Sequence, residues 1–312
     1  MILPPLRLLP SYREKIWGAT ALEPWFRDSK TKIGEVWFTF DQNRTGDGRV
    51  LSDLMREYGA DFTGADRPWD SFPLLVKFIF TTDRLSVQVH PNDAQARAWE
   101  SCPGKTEMWH ILRAEPGAAI ALGFKEVISS QRLRESALSG EIEDLIRWFP
   151  VRAGDTFFTP PGTVHAIGPG LALVEIQQNS DITYRLYDYG RPRELHLDKA
   201  IAVAHCVPHP GPSAPVDLGD GRQRLVSSEH FVTERIQYAR ETVYCPERGR
   251  IHILIILDGR GTLGGRPFGP GECWLVPASA EPFPISVRSP VTLLRTYVPP
   301  PQPLPDGRGS VP

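Results

Sequence analysis

A turn-bounded segment at residues 154–168, GDTFFTPPGTVHAIG, constrains the fold of this chain more than any other stretch. Its aromatic run is followed by Pro160 and Gly162, which favour a tight turn because proline restricts φ and glycine tolerates positive φ. The segment therefore predicts a strand, a tight turn and a return strand that carries His165. A rigid strand is a suitable support for a metal ligand, so His165 is the first candidate.

Two upstream segments add polar side chains that would share a strand face. In VQVHPND, Gln88 and His90 are two residues apart, and in GKTEMWHIL, Lys105 and Glu107 have the same spacing. Alternate residues of a strand point to the same side. Two imidazoles, a carboxylate and an amide from three strands suit a divalent metal of the zinc type, with one position open for water or substrate. The predicted ligands are Gln88, His90, Glu107 and His165.

A structural role is the simplest interpretation of an isolated histidine, which is more often a core or surface residue than a ligand. The metal prediction therefore depends on three separate segments, each with polar residues on one face of a turn-bounded strand. His110 is three residues beyond Glu107 and is expected to face the other way. The remaining histidines are interpreted as structural or solvated: His196, His205, His209, His230 and His252.

Composition indicates an ordinary soluble globular protein and excludes several kinds of partner. The 312 residues are 41% hydrophobic and 23% charged, with a formal net charge of −2. No basic cluster is present, so nucleic acid and anionic membranes are not expected as partners. No apolar run approaches the roughly 18–20 residues of a membrane-spanning helix. The beginning of the chain lacks an export-signal pattern, and four scattered cysteines are typical of reduced thiols, so we expect a cytoplasmic protein.

The distribution of 31 prolines and 27 glycines between short apolar runs predicts a mainly β fold. Residues 51–59 are expected to form a short helix. Residues 127–150 have helical spacing, with Ser130 as a candidate cap, and predict a helical pair inserted between two strands. The Pro- and Gly-rich stretch 205–222 is interpreted as a connection between domains, and 299–312 as a disordered tail.

The 154–168 pattern resembles the second half of the cupin signature. Cupins are double-sheet jelly rolls that bind a metal inside the barrel. The segment GPGECWLVPASAE resembles an eroded second copy without a histidine. We therefore expect two cupin-like jelly-roll barrels with a helical insertion in the first. The predicted parts are a metal-binding catalytic domain (1–210), its insertion (125–149), a degenerate second cupin domain (211–298) and the tail (299–312).

The chain also resembles the type I phosphomannose isomerases, in their short bacterial form, along nearly its whole length. The resemblance rests on the strings YREKIWGA, IGEVW, PLLVKF, VQVHPND, GKTEMWHIL, PPGTVHAI and ALVEIQQNSDITYRLYDYGR. It implies a zinc-dependent enzyme that interconverts mannose 6-phosphate and fructose 6-phosphate, with the same four ligands. It also points to Arg185 as an active-site residue, and matches pocket positions at Lys105, Glu175, Ser86 and Arg191.

The sequence departs from this family at two places. IGEVWFTF lacks the usual serine and acidic residue, and His110 stands where a tyrosine is common. Neither departure affects the predicted ligands, but both bear on the shape of the pocket.

Aldose–ketose exchange moves a proton between adjacent carbons through an enediol, and a divalent ion stabilises the negative charge that develops. Glu175, Lys105 and a water on the metal are three candidate bases, among which the sequence does not choose. The phosphate requires cations outside the metal site, and guanidinium groups bind phosphate in bidentate fashion. Arg185 and Arg191 are six residues apart, so a regular strand would place both on one face.

Two other functions fit parts of the pattern. An iron-dependent cupin oxygenase would use two histidines and a carboxylate, and a non-catalytic sugar-phosphate-binding cupin would keep the barrel without turnover. Gln88 and the two arginines favour a phosphorylated sugar as substrate. We therefore expect a monomeric isomerase with one zinc ion per chain.

Overall fold

Short runs rich in β-branched and aromatic residues form antiparallel strands throughout residues 1–66 and 68–300, which the structure describes. Within these residues the computed structural model contains 22 strands and six helices. The strands are β1 (Leu6–Leu8), β2 (Ser11–Ala19), β3 (Ile33–Phe38), β4 (Leu74–Thr81), β5 (Val87–Val89), β6 (Glu107–Ala114), β7 (Ala119–Phe124), β8 (Ile146–Pro150), β9 (Thr156–Thr159), β10 (His165–Ile167), β11 (Leu171–Gln178), β12 (Tyr184–Tyr187), β13 (Val216–Gly219), β14 (Arg222–Ser227), β15 (Val232–Tyr238), β16 (Thr242–Tyr244), β17 (His252–Asp258), β18 (Gly261–Leu263), β19 (Arg266–Phe268), β20 (Cys273–Val276), β21 (Phe283–Val287) and β22 (Val291–Tyr297). The helices are α1 (Leu51–Tyr58), α2 (Ala60–Thr63), α3 (Asp93–Glu100), α4 (Ser130–Ser139), α5 (Ile142–Leu145) and α6 (Leu197–Val203).

Four sheets form two double-sheet barrels. The first barrel consists of a six-stranded sheet, β2-β3-β4-β11-β6-β9, and a five-stranded sheet, β12-β5-β10-β7-β8. The second barrel consists of a seven-stranded sheet, β1-β20-β17-β22-β15-β14-β13, and a four-stranded sheet, β16-β21-β18-β19. This arrangement confirms the predicted mainly β, cupin-like fold class.

Four hydrophobic cores hold these layers together. One fills the first barrel around Trp109, and another fills the second barrel around Trp274. A third joins the backs of the six- and seven-stranded sheets and includes Phe78 and Ile255. The fourth packs helices against the outer face of the five-stranded sheet around Leu133. Burial of each apolar face is the main force that stabilises this layered architecture.

The turn predicted within residues 154–168 carries the chain between the two sheets of the first barrel. β9 pairs with β6 in one sheet, whereas β10 pairs with β5 and β7 in the other. Gly162 has a φ of +82°, and a Cβ at this position would lie 2.7 Å from the His205 ring. Glycine is therefore required for the chain to cross at this point.

The helical insertion is shorter than predicted. Ser129, rather than Ser130, caps α4 by accepting a hydrogen bond from the Arg132 amide, and Gly140 ends the helix in the left-handed conformation. The expectation that the second helix continues to Pro150 is wrong, because Ile146–Pro150 pairs with β7 as β8. Pairing with that sheet edge satisfies backbone groups that a short terminal helix would leave open.

Two other segments differ from the sequence-based prediction. Part of the presumed connection at 205–222 is the strand β13, which forms a hairpin with β14. Asp220 and Gly221 both have positive φ, and an Asp-Gly pair is a strong hairpin signal. The helix α3 was not predicted, although Asn92 and Gln95 form a capping box at its start.

The predicted short helix at 51–59 is confirmed as α1, with Gly59 directly after it. The division into domains at residue 210 stays a prediction, and β1 pairs with β20 of the second barrel. The predicted tail falls mostly on residues 301–312, which lie outside the described residues. No helix within residues 1–66 and 68–300 has the length and apolarity needed to cross a bilayer.

The interior of the second barrel contains a buried ion pair. Arg295 Nη2 donates to Glu234 Oε2 at 2.8 Å, and each side chain is only 6% exposed. We predict that Glu234→Gln lowers the free energy of unfolding by about 3 kcal/mol, because it removes the buried counter-charge of Arg295 and leaves only the half-exposed carboxylate of Glu247, at 3.9 Å. Urea unfolding monitored by tryptophan fluorescence would measure the difference.

The exposed pair between Arg56 and Asp53 offers a matched control, with side chains 76% and 61% exposed. Asp53→Asn is expected to change stability by at most about 0.5 kcal/mol, because solvent screens this pair. Equal losses in Glu234→Gln and Asp53→Asn would contradict the stabilising role of the buried pair.

Candidate metal centre

Three polar side chains form a row across the inner face of the five-stranded sheet. His165 on β10 is directly opposite Gln88 on β5, and Gln88 is opposite Arg185 on β12. Side chains at directly paired positions have Cβ atoms about 4.5–5.5 Å apart. The sheet register therefore brings these residues together, although they are far apart in the sequence.

The other two predicted ligands reach the same region from neighbouring segments. Glu107 is the first residue of β6 in the six-stranded sheet, and His90 follows the end of β5. The backbone carbonyl of His90 accepts a hydrogen bond from Gly162 N at 2.8 Å. This bond ties the His90 segment to the turn that leads to His165.

The imidazoles and the carboxylate form a compact buried cluster. One ligand atom from each of His90, Glu107 and His165 lies within 4.8 Å of the other two. His165 Nε2 is 3.3 Å from Glu107 Oε1, and His90 Nε2 is 3.7 Å from Glu107 Oε2. Gln88 Nε2 is 3.2 Å from His165 Nε2, so rotating this amide by 180° would turn its oxygen towards the cluster.

Both imidazoles of this cluster are in the protonation state that a cation requires. Burial lowers the pKa of His165 to about 4 and the pKa of His90 well below its ordinary value, so both imidazoles are neutral. His165 Nδ1 is 2.9 Å from the Thr163 carbonyl oxygen, which accepts a hydrogen bond from it. This bond places the ring proton on Nδ1, so the lone pair of Nε2 faces the cluster. Neutral imidazoles are the form that binds metals.

Several buried polar atoms of the cluster lack a hydrogen-bond partner in the described part of the structure, which is a further indication of a metal site. Neither carboxylate oxygen of Glu107 has a hydrogen-bond partner among the described residues, nor does His90 Nδ1. Lys105 Nζ is 3.3 Å from Glu107 Oε2 and 3.2 Å from His90 Nε2, which provides partial charge compensation. Because uncompensated buried polar groups are costly, the donors present fit a divalent ion.

A cavity of about 310 Å³ opens beside this cluster. Its walls include five of the predicted site residues: Ser86, Gln88, Lys105, Glu175 and Arg185. The remaining wall residues were not predicted as site residues: Lys15, Trp17, Glu35, Lys77, Ile79, Leu85, Ile167, Asp181, Thr183 and Arg193. Arg191 is not part of this wall and lies against Asp188 and Asp83 instead.

Glu175 is held in place by two neighbours on the six-stranded sheet. Lys77 Nζ is 3.1 Å from Glu175 Oε2, and Trp109 Nε1 donates to Glu175 Oε1 at 3.0 Å. Burial alone would raise the pKa of Glu175, but the ammonium groups of Lys77 and Lys105 hold it below its ordinary value. Glu175 is therefore a carboxylate at neutral pH.

Lys77 illustrates a signal that was available in the sequence. It is a single charged residue within the apolar run LLVKFIFT, and every residue of that strand is buried. A buried lysine almost always requires a charged partner. The position of that partner was not predictable, because Glu175 becomes its neighbour only through the pairing of β4 with β11.

Arg185 carries a guanidinium that is only partly satisfied by protein contacts. Arg185 Nη1 donates to the Glu194 carbonyl at 2.7 Å, while Arg185 Nε is buried without a hydrogen-bond partner among the described residues. Burial lowers the pKa of Arg185, and the nearby charge of Arg193 adds to this effect. Arg185 is thus positioned beside the candidate metal ligands with donors available to a ligand.

The chain is similar in sequence to several known proteins that share one activity in their names. No family model matches the chain. The mannose-6-phosphate isomerase ManA of Bacillus subtilis is 40% identical over 219 residues, which cover 65% of this chain and 69% of that protein. The mannose-6-phosphate isomerase of Streptococcus mutans is 35% identical over 279 residues, covering 83% and 86% of the two chains.

Solved structures agree with these relatives. The crystal structure of the mannose 6-phosphate isomerase from Bacillus subtilis matches with a TM-score of 0.86 at 31% identity, covering 94% of this chain and 99% of that chain. A variant of the phosphomannose isomerase from Salmonella typhimurium, at 19% identity and a TM-score of 0.79, shares the fold. Because the matching sequences extend over most of both proteins, this chain is an enzyme of the type I phosphomannose isomerase family.

Proposed function

We propose that this enzyme interconverts mannose 6-phosphate and fructose 6-phosphate through an enediol, with zinc as its metal ion. The observation that carries the proposal is the buried cluster of two neutral imidazoles and the Glu107 carboxyl group, beside a cavity whose wall includes Arg185 and Arg193. The names of the relatives support the same reaction.

The ligands that we propose are Gln88, His90, Glu107 and His165. Nitrogen and oxygen donors of this kind are typical of zinc, and four protein ligands leave room for an expanded coordination shell. A bound divalent ion would supply Lewis-acid stabilisation of the negative charge on the sugar oxygens. We propose one ion per chain.

The protein's own side chains would handle the proton at C1 and C2 of the sugar. Glu175 is ionised on the cavity wall, so it has a free lone pair for a proton. Its ion pair with Lys77 reduces its basicity but fixes its position, and a fixed geometry contributes strongly to catalysis. Lys105 is the second candidate, since it lies on the wall next to Glu107.

Arg185 would act at the reacting end of the sugar. It neighbours Gln88 across the sheet, and its buried Nε has no partner in residues 1–66 and 68–300. A guanidinium in this position would stabilise charge that develops on a sugar oxygen in the transition state. Ser86 Oγ lies 3.2 Å from the Gln88 amide. With the amide rotated so that its oxygen faces the cluster, Gln88 Nε2 would donate to Ser86 Oγ, so Ser86 would hold that orientation as well as line the cavity.

We also propose a cellular location for the enzyme. Four unpaired cysteines support a reducing, cytoplasmic environment. The absence of nucleic acid, membrane and partner subunits remains a prediction from the sequence.

Metal removal tests the proposed function. We expect that the zinc-loaded protein converts mannose 6-phosphate to fructose 6-phosphate, that a chelator abolishes the reaction, and that added zinc restores it. Product formation would be measured with a coupled assay, and metal content by mass spectrometry. A protein with a full complement of zinc and no turnover would contradict the isomerase proposal.

The same samples distinguish an isomerase from the two other functions considered, an oxygenase and a non-catalytic sugar-phosphate-binding protein. Oxygen consumption by an iron-loaded sample would instead favour an oxygenase. Binding of mannose 6-phosphate without conversion would favour a non-catalytic cupin.

A further inference from the structure

Two arginines share one buried carboxylate beside the cavity. Arg191 and Arg193 both bind Asp188, whose side chain is 1% exposed. Arg185 and Arg193 both line this cavity. Asp188 is one carboxylate shared by two guanidinium groups, so its single negative charge does not neutralise both of them, and the remaining positive charge favours an anionic ligand.

Contacts within the protein use all the nitrogens of the Arg191 guanidinium. Nη2 donates to Asp188 Oδ1 at 2.7 Å, Nε donates to the Asp188 carbonyl at 3.2 Å, and Nη1 is 3.4 Å from Asp83 Oδ2. The guanidinium also lies over the Tyr189 ring, 5.3 Å from its centroid. Arg191 therefore has a structural role and does not reach the cavity wall.

Arg193 is placed differently. Its Nε and Nη2 donate to the two oxygens of Asp188, each at 2.6 Å. Nη1 has no acceptor within the described part of the chain, and Arg193 lines the cavity. The bidentate pair with Asp188 fixes the plane of the guanidinium, so its remaining edge is preorganised for an incoming anion.

The backbone explains why Arg193 rather than Arg191 faces the cavity. β12 ends at Tyr187, and Tyr189 and Gly190 then have φ values of +56° and +77°. Two consecutive residues in the left-handed region reverse the chain and end the alternation of a strand. The six-residue spacing between Arg185 and Arg191 therefore does not place them on one face.

We propose that Arg193, oriented by Asp188, binds the phosphate group of the substrate, and that Arg191 does not. This inference rests on the proposed function, since it identifies how that cavity would select a phosphorylated sugar. Arg193 is then a specificity-determining residue, and Asp188 is a positioning residue.

Arg193→Gln and Arg191→Gln form a matched pair for testing this inference. Each substitution removes one arginine partner of Asp188 and leaves the other, so effects on the fold are comparable. We expect Arg193→Gln to raise KM for mannose 6-phosphate about 10–100-fold with kcat within about threefold, because one charge-assisted contact is lost. Arg191→Gln is expected to change KM by less than about threefold. Arg193→Lys should recover only part of the loss, because lysine cannot form the bidentate contact.

Inorganic phosphate provides a probe that does not depend on turnover. Its affinity for the zinc-loaded protein, measured by calorimetry, should fall in Arg193→Gln and be largely retained in Arg191→Gln. Because both variants keep the metal, direct binding of phosphate to zinc would affect them equally. Equal losses in the two variants, a larger loss in Arg191→Gln, or no loss in either would overturn the assignment. If the wild-type protein binds phosphate in this pattern but does not isomerise mannose 6-phosphate, the proposed reaction fails while the anion site stands.

Discussion

His165→Ala is expected to abolish zinc binding and isomerase activity together. His165 is the centre of the candidate site: its Nε2 lies 3.3 Å from Glu107 Oε1 and 3.2 Å from Gln88 Nε2. Replacement by alanine removes an imidazole whose tautomer is already set by the Thr163 carbonyl. No other side chain on β10 can substitute for it, because the neighbouring residues Ala166 and Ile167 are apolar.

The expected loss of activity is large. A Lewis acid supplies several kcal/mol of transition-state stabilisation, so losing it should reduce kcat/KM by about 10³-fold or more. Metal content after dialysis provides a readout that is independent of activity. The wild-type melting temperature should also rise with added zinc, since a ligand that binds only the folded state stabilises it, and this rise should disappear in His165→Ala.

His110→Ala is a suitable control for this variant. His110 is also a buried histidine of the first barrel, but its Nδ1 is 2.8 Å from Thr156 Oγ1 and it does not belong to the cluster. We expect this variant to be less stable yet to keep its zinc. A His165→Ala protein that retains zinc and full activity would rule out the ligand set.

Arg185→Ala is expected to separate catalysis from metal binding. The side chain is beside Gln88 in the sheet but makes no ion pair within 4.0 Å in residues 1–66 and 68–300. Its removal should therefore leave the zinc content unchanged. Activity should fall by about 10²–10³-fold, the usual effect of deleting one preorganised donor that stabilises developing charge.

Two further variants make this result specific. Arg185→Lys should remain strongly impaired, because an ammonium cannot reproduce the planar set of guanidinium donors. Arg113→Ala is a control outside the cavity, since Arg113 Nη1 also donates to a backbone carbonyl, that of Glu23, at 3.0 Å. Comparable losses of activity in Arg185→Ala and Arg113→Ala would indicate a general structural effect, and full activity in Arg185→Ala would remove Arg185 from the site.

The arginines at and after β12 show where reasoning from sequence fails. A count of alternating residues from Arg185 is valid only while the strand continues, and β12 has just four residues. The reversal at Tyr189 and Gly190 moves Arg193 to the cavity and Arg191 away from it. Gly190 was a visible indication of a turn in the sequence. The left-handed conformation of Tyr189 was not, because residues other than glycine seldom adopt it.

The ion pairs of the cavity were also beyond prediction. Lys15 with Glu35 and Lys77 with Glu175 approach to 3.3 Å and 3.1 Å across different strands. Each pair depends on strand register in the six-stranded sheet, which local sequence does not specify. These pairs decide which cavity charges are neutralised and which remain available to a ligand.

The sequence by itself determined the mainly β architecture and the four proposed metal ligands, because both depend on local patterns. Strand-forming runs, turn residues and two-residue spacings act within a few positions of the chain, so they can be read directly. Tertiary structure alone decided that His165, Gln88 and Arg185 stand in one row, that Lys77 compensates Glu175, and that Arg193 faces the cavity. These features arise from sheet register and from a chain reversal after β12, and both are chosen by packing between residues that are distant in the sequence.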